Sequence, residues 1–509
     1  MLNDMADLAI LNHFWLTLLL LLPVILISRS VVAGTKYSPI LIIVIFGLLL
    51  GLILEVAGIG TAGLKEFPII GLTSNVTITA LVVTFFVGGQ KLRNTFFNPK
   101  HPGEDDVILN EEEVMLGTKG TQLVFIVRAY FILLGIEGLK RIILGDTDGD
   151  IGLYYPLIAF FGIAGSIILI DNKAVIENKR KYLGRGVTET IAILGILILS
   201  TLIADWIYDL IALPQIFFAM LLSSGLGMYF SDWKQGPTMR SLLFAGIPIV
   251  LAAVFLIGGS RLIEAFSIDG MVQVMAFGFF GQLFWMFIGL SLLIFIGKSN
   301  KIEILAPGMA GSLSHSGLTG ACTAGDLGDV AKERAPIMIN IPFFGHIFVF
   351  TILAISATNG ELLVIPGMII VVIGAGLTYW SLKTLRKAKG VEGKEIKGLI
   401  LFSLGWQLTA VFGGFLLLDL AGMSLENAAM ANSAAISHFG LFASIKGGMF
   451  GTESMELITF IFAMPFLIHP LVFGMFGKAM SENGEMPKKA VAGLAIAGII
   501  GVIVTLVFL

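Results

Sequence analysis

Ser314, His315, Ser316 and Gly317 form a polar cluster inside apolar sequence, and Ser437, His438, Phe439 and Gly440 repeat it 123 residues later. The same offset carries Pro342, Phe343 and His346 onto Pro465, Phe466 and His469. Four of the six histidines lie in this duplicated unit. These residue types offer three kinds of chemistry. Free backbone N–H groups and half-helix N-termini attract a carboxylate. Hydroxyls and unwound carbonyls suit Na⁺. An imidazole binds substrate, carries a proton or caps backbone.

Around each cluster the chain is rich in Gly, Ala and Ser, over about 303–327 and 427–450. Unwound backbone at membrane depth is tolerated only where it faces protein or a wet cavity. The binding candidates are therefore Ser312, Ser314, His315, Gly317 and Thr319 in the first segment, and Asn432, Ser433, Ser437, His438 and Gly440 in the second. The plain alternative is small-residue helix packing, with serines bonded to the preceding turn. His346 and His469 each follow a proline by four residues, where they can simply satisfy the carbonyl that proline frees. Secondary candidates are Gln282 and Gln407 on the helices leading into the segments, Asn340 on the helix leaving the first, and Arg128 in mid-span. Asp326, Asp329, Glu333 and Arg334 read as a solvated inner loop, and Asp419 as interfacial.

Composition places these segments in a bilayer. The 509 residues are 56% hydrophobic and only 13% charged, about half the charge of a soluble domain. Apolar runs long enough to cross the hydrocarbon recur throughout. We read 14 spans, at 9–28, 38–57, 75–92, 120–139, 152–171, 187–208, 214–230, 241–261, 271–297, 337–357, 361–381, 397–419, 454–476 and 489–509. Basic residues fall in alternate loops if the N-terminus is outside and both Gly/Ser-rich segments are re-entrant. Lys140 and Arg141 are the clearest exception. Three spans between the segments make them enter from opposite faces. The net charge of -3 carries no basic stripe for nucleic acid, and the single Cys322 forms no disulfide within the chain.

A second repeat lies earlier. Phe85-Phe86-Val87-Gly88-Gly89-Gln90-Lys91-Leu92 matches Phe255-Leu256-Ile257-Gly258-Gly259-Ser260-Arg261-Leu262 at an offset of 170. Four spans separate the two helices that carry it, so they run in opposite directions. Inverted repeats are a recurring plan of secondary transporters. Asp146 to Asp150 opens like a calcium loop but lacks the closing Glu. The stretch from Glu104 to Glu113 reads as a solvated acidic loop. No HExxH, GxSxG or P-loop occurs, so the chain reads as no enzyme.

Ala310-Gly311-Ser312 followed by Ser314, Gly317, Thr319 and Gly320 resembles the Gly/Ser-rich re-entrant segment of the bacterial sodium/glutamate symporter family. The order from Glu189-Thr190 through Pro214 and Phe255 to Pro342 is similar to one repeat of that family, covering about 190–357 well and 397–476 loosely. The resemblance implies a Na⁺-coupled carrier of a small carboxylate whose site is the two broken segments. The family alternates five spans with each broken segment, whereas three separate them here. The earlier Ala164-Gly165-Ser166 is followed by Ile170-Asp171-Asn172-Lys173 in place of glycines.

The sequence thus leads to an all-α polytopic membrane protein of inverted-repeat architecture, with 1–270 as scaffold or dimerisation helices and 271–509 as the transport core. The expected function is Na⁺- or H⁺-coupled alternating-access transport of a small carboxylate or amino acid, with no further cofactor, in a prokaryotic cytoplasmic membrane. A homodimer is compatible with it. The rival reading is a membrane subunit of a redox or metal-handling complex that uses His315, His346, His438 and His469 as ligands.

Overall fold

The computed structural model describes residues 4–96, 119–145, 155–170, 179–207, 213–268, 270–388 and 391–508. The calcium-loop-like stretch, the acidic loop and Asp171 to Lys173 lie outside them. The described residues form helices and no strand. The N-terminal part holds α1 (Asp4–Val32), α2 (Ile40–Val56), α3 (Thr73–Phe96), α4 (Lys119–Leu144), α5 (Tyr155–Ile170), α6 (Lys179–Ile207), α7 (Gln215–Tyr229) and α8 (Pro237–Gly259). The C-terminal part holds α9 (Met271–Ile296), α10 (Ile302–Leu313), α11 (Ser316–Thr323), α12 (Asp329–Asn359), α13 (Val364–Ala388) and α14 (Glu392–Leu420). It continues through α15 (Leu425–Ile436), α16 (Phe439–Lys446), α17 (Thr452–Ala463), a 3₁₀ turn at Met464–Ile468, α18 (His469–Glu482) and α19 (Lys488–Phe508).

A helix covers most of each apolar run read from the sequence. Among the described residues nine helices are long and apolar enough to cross a bilayer, so this is an all-α, multi-pass membrane protein. Shorter apolar helices such as Ile40–Val56 and Gln215–Tyr229 accompany them.

The 123-residue repeat is an identity of architecture. Added to the bounds of α10, α11 and α12, that offset returns those of α15, α16 and the stretch from Thr452 to Glu482. The repeats are also intertwined. α13 of the first packs on α14 of the second, and α19 of the second packs on α9 of the first. The N-terminal helices do the same, with α3 on α7 and α2 on α8. Glycine sets those crossings. A Cβ at Gly89 or Gly227 would overlap the carbonyl of Ser224 or Phe86, and one at Gly51 or Gly259 that of Leu256 or Leu48. Small residues let helix backbones approach where lipid offers no hydrophobic gain.

One symmetry relates both repeats. Lys91 Nζ donates to the Glu333 carbonyl at 3.4 Å, and Arg261 Nη1 to the Glu456 carbonyl at 3.2 Å. The donors differ by 170 positions and the acceptors by 123. The exception at Lys140 and Arg141 also has a local cause, because fully buried Glu137 pairs with both, at 3.2 and 2.9 Å. Arg334 is no solvated loop residue either. It is 8% exposed and pairs with Glu395 at 3.6 Å.

Gly227→Ala is expected to lower the thermal unfolding midpoint in detergent, by about 1–3 kcal/mol of overpacking. Gly225 on the same helix has open space at its Cβ position. Gly225→Ala should hold or raise the midpoint, since alanine is the better helix former by about 1 kcal/mol.

Candidate functional site

Each Gly/Ser-rich segment folds as two half-helices joined at one residue. α10 ends on Ser314 at φ 46°, ψ 40°, and α15 on Ser437 at φ 52°, ψ 43°. The left-handed conformation is uncommon for a non-glycine residue. Here it closes a helix C-terminus, with the next N–H bonded back to the Ala310 carbonyl in one copy and to that of Ser433 in the other.

Both ends of each hairpin lie together. In the first, Arg334 near the start of α12 donates to the Glu303 carbonyl at 3.5 Å. In the second, Glu426 accepts from Ser454 N–H at 2.6 Å and Lys446 donates to the Met455 carbonyl at 3.0 Å. The first hairpin begins beside the far end of α18, where Ile302 N–H donates to the Gly484 carbonyl at 3.0 Å. The stretch from α17 to α18 therefore runs from the open end of one hairpin to the open end of the other. The hairpins face opposite ends of the bundle and their tips meet inside it.

The tips pair as a two-residue antiparallel bridge between His315 and His438. Ser316 N–H donates to the Ser437 carbonyl at 3.0 Å and Phe439 N–H to the Ser314 carbonyl at 3.4 Å. The hydroxyls of Ser316 and Ser437 bond at 2.7 Å. Each histidine then caps the half-helix that follows it. His315 Nδ1 accepts from Leu318 N–H at 3.2 Å, and His438 Nδ1 from Leu441 N–H at 3.0 Å.

These caps decide the tautomers, since a neutral ring that accepts at Nδ1 donates at Nε2. The amide of Gln282 lies 3.0 Å from His315 Nε2, so its oxygen must point there to receive the proton. His438 Nε2 lies 2.8 Å from His346 Nε2, which accepts from it. The Gln407 amide nitrogen sits 2.9 Å from that His346 atom and 3.1 Å from the Ser314 hydroxyl. His315 and His438 are thus engaged at both ring nitrogens, and a second proton on either ring would displace a cap. His469 lies beside His315, with ring centroids 4.7 Å apart, and also bonds the Pro465 carbonyl.

The other candidates divide. Ser314 and Thr319 line a cavity of about 10 Å³, room for one water, that also meets Phe85 of α3 and Met220 of α7. Cβ atoms at Gly317 and Gly440 would press on His469 and His438, so these glycines leave room for imidazoles. Ser312 bonds back to the Met309 carbonyl at 3.3 Å, as plain helix packing predicts. Asn432 donates to the Val411 carbonyl at 2.8 Å, while its Oδ1 and the Ser433 hydroxyl are buried without a partner. Asn340 stands apart from the tips. It donates to the Phe85 carbonyl at 3.0 Å and accepts from Ser224, joining the two parts of the chain. Arg128 is remote as well, bonded to Ser241 on α8 and stacked on Phe125. Sequence reasoning missed Ser316, although it lies inside the repeated motif. Nothing in the second copy, which has Phe439 there, marked it.

Fold and site together define a multi-pass α-helical membrane protein built from intertwined repeats around a pair of opposed hairpins. No protein-family model, no curated protein and no solved structure matches the chain.

If the histidines are caps, His438→Ala should cost about 1–3 kcal/mol by leaving a buried N–H unpaired. His438→Asn should recover much of that loss, because asparagine is a good helix N-cap. Thermal unfolding in detergent reads both, and equal losses would argue against the cap.

Proposed function

We propose that the chain is an ion-coupled secondary active transporter of a small carboxylate or amino acid that works by alternating access. The observation that carries this reading is the meeting of two opposed helix-break-helix hairpins at a buried polar centre. On this reading both hairpins are re-entrant between 14 spans, in the prokaryotic cytoplasmic membrane, and the helices from Met271 onward move against the N-terminal scaffold.

Electrostatics supports coupling. The candidates at the tips are serines, a threonine, glycines, histidines and amides, with no carboxylate, lysine or arginine among them. A lone carboxylate or a lone cation entering such a centre would lose hydration without gaining a counter-charge. Na⁺ and a carboxylate entering together neutralise each other, and hydroxyls and unwound backbone supply the remaining ligands. A proton accompanying the carboxylate satisfies the same balance. With the rings of His315 and His438 engaged as caps, that proton would travel on the substrate or on His346 or His469.

The metal-handling alternative draws less support. The four histidines separate into two pairs, and no group of three or more potential ligands gathers among the described residues.

Ser314→Ala and Ser437→Ala are each expected to abolish ion-driven uptake in proteoliposomes while the far-ultraviolet dichroism stays helical. Wild-type uptake by both variants would sink the site assignment. A thermal-shift panel of carboxylates and amino acids, with and without Na⁺, should show stabilisation that needs both solutes. A haem spectrum or stoichiometric bound metal in purified protein would favour the rival.

A further inference from the structure

A second polar site lies away from the hairpin tips. Where the first hairpin returns to its open end, a cavity of about 460 Å³ separates it from the α1–α2 connection. That volume falls in the usual range for small-ligand pockets, about 300–1,000 Å³. Arg29, Lys36, Gln122 and Asp326 contribute polar groups to its wall, and Tyr37 and Met480 contribute apolar surface.

Two of these groups are opposed charges that do not meet. The Arg29 guanidinium lies over the Phe244 ring at 4.0 Å and reaches the Phe244 carbonyl only at 3.5 Å. Its Nε is buried without a hydrogen-bond partner. Asp326 accepts from the Ser38 hydroxyl at 2.9 Å and feels Arg29 electrostatically, yet no ion pair joins the two among the described residues. The arrangement is not a by-product of the repeat, since the position equivalent to Asp326 in the second hairpin is Met449.

A cation and an anion facing one cavity without contact suit a ligand that carries both charges a few bonds apart. We propose that this cavity binds a free zwitterionic amino acid, its carboxylate on Arg29 and its ammonium on Asp326, with Tyr37 and Met480 against an apolar side chain. A simple amine would meet Arg29 and Lys36, and a simple anion would leave Asp326 without a partner in the ligand, so a ligand with both charges matches the wall better. The site stands on this geometry and does not depend on transport.

Thr35 lines the same cavity and is exposed, whereas native Cys322 is buried. Purified Thr35→Cys protein, carrying Cys322→Ala, would be titrated with a maleimide in the presence of L-leucine, acetate, butylamine or phosphatidylethanolamine vesicles. At about ten dissociation constants of leucine the labelling rate should fall about tenfold, because only the unoccupied fraction reacts. Acetate and butylamine should protect far less. Arg29→Gln and Asp326→Asn should each abolish protection, and Arg29→Lys should retain part of it if Arg29→Gln fails to fold. Absence of leucine protection, equal protection by acetate, protection by the lipid alone, or protection surviving in both charge variants would each overturn the proposal. Adding Ser314→Ala separates the two readings. Lost uptake with intact protection bears on the hairpin site alone, and lost protection with normal uptake bears on this cavity alone.

Discussion

The structure turns on the pairing of two left-handed serines at the centre of the bundle. A helix broken at Ser314 or Ser437 exposes N–H and carbonyl groups inside the bundle, and an unpaired buried polar group costs about 1–3 kcal/mol. Neither hairpin solves this alone. Each lends the other one carbonyl and one N–H across the bridge, and Ser316 and Ser437 add their hydroxyls. The histidine caps then satisfy a donor at the start of each following half-helix. The two hairpins therefore complete each other's backbone hydrogen bonding, and the intertwined packing of α13 on α14 and α19 on α9 holds the repeats that carry them together.

Given that frame, the departures from symmetry are the informative positions. Packing recurs at both copies, from the glycine crossings to the lysine and arginine bonds on Glu333 and Glu456. Polar chemistry often does not. Asn432 answers Met309, Ser433 answers Ala310, Ser316 answers Phe439, and Thr319 answers Phe442. At the junction between the two parts of the chain Asn340 answers Ala463. Asn340 ties α12 to α3, while Ala463 merely abuts Gly258. Duplication supplies a shape that packs in either orientation. A substitution in one copy then places a polar group on one side without a mirror-image partner.

Much of this was legible in the sequence because it rests on periodicity and offset. Apolar runs marked the helices, and the constant 123-residue spacing marked two equivalent hairpins. Parity of the basic loops set their expected opposition. What lay beyond reach depends on contacts between distant segments. Gln282 and Gln407 were singled out as polar residues in apolar helices, but that Gln282 ends on the cap histidine His315 and Gln407 on His346 and Ser314 follows only from the crossing of α9 and α14 over the tips. Asp326 looked like a loop carboxylate because sequence does not reveal that Ser38, 288 positions away, covers it. Lys140 and Arg141 looked misplaced until Glu137, one turn earlier, was seen to pair with both.

The two kinds of interface differ in how readily they can change. Within the N-terminal part, glycines bring helix backbones into direct contact, so a shift there must move main chain past main chain. Between that part and the C-terminal helices the contacts are mixed: a Cβ at Gly88 would overlap the Pro336 carbonyl of α12, but elsewhere side chains meet. α11 meets α2 and α8 through Gly320 against the side chains of Ile40 and Ile247, and α16 meets α3 and α7. Polar ties across this boundary include bonds from Lys91, Arg261 and Ser38 and the pair that Asn340 makes with Phe85 and Ser224. Apolar side-chain surfaces re-register at low cost, and an isolated hydrogen bond is worth only about 1 kcal/mol net. On the transporter reading, the boundary between the N-terminal part and the hairpins is where alternating access would occur. The bridged tips would then travel as one body, because separating them would strand four backbone groups at once.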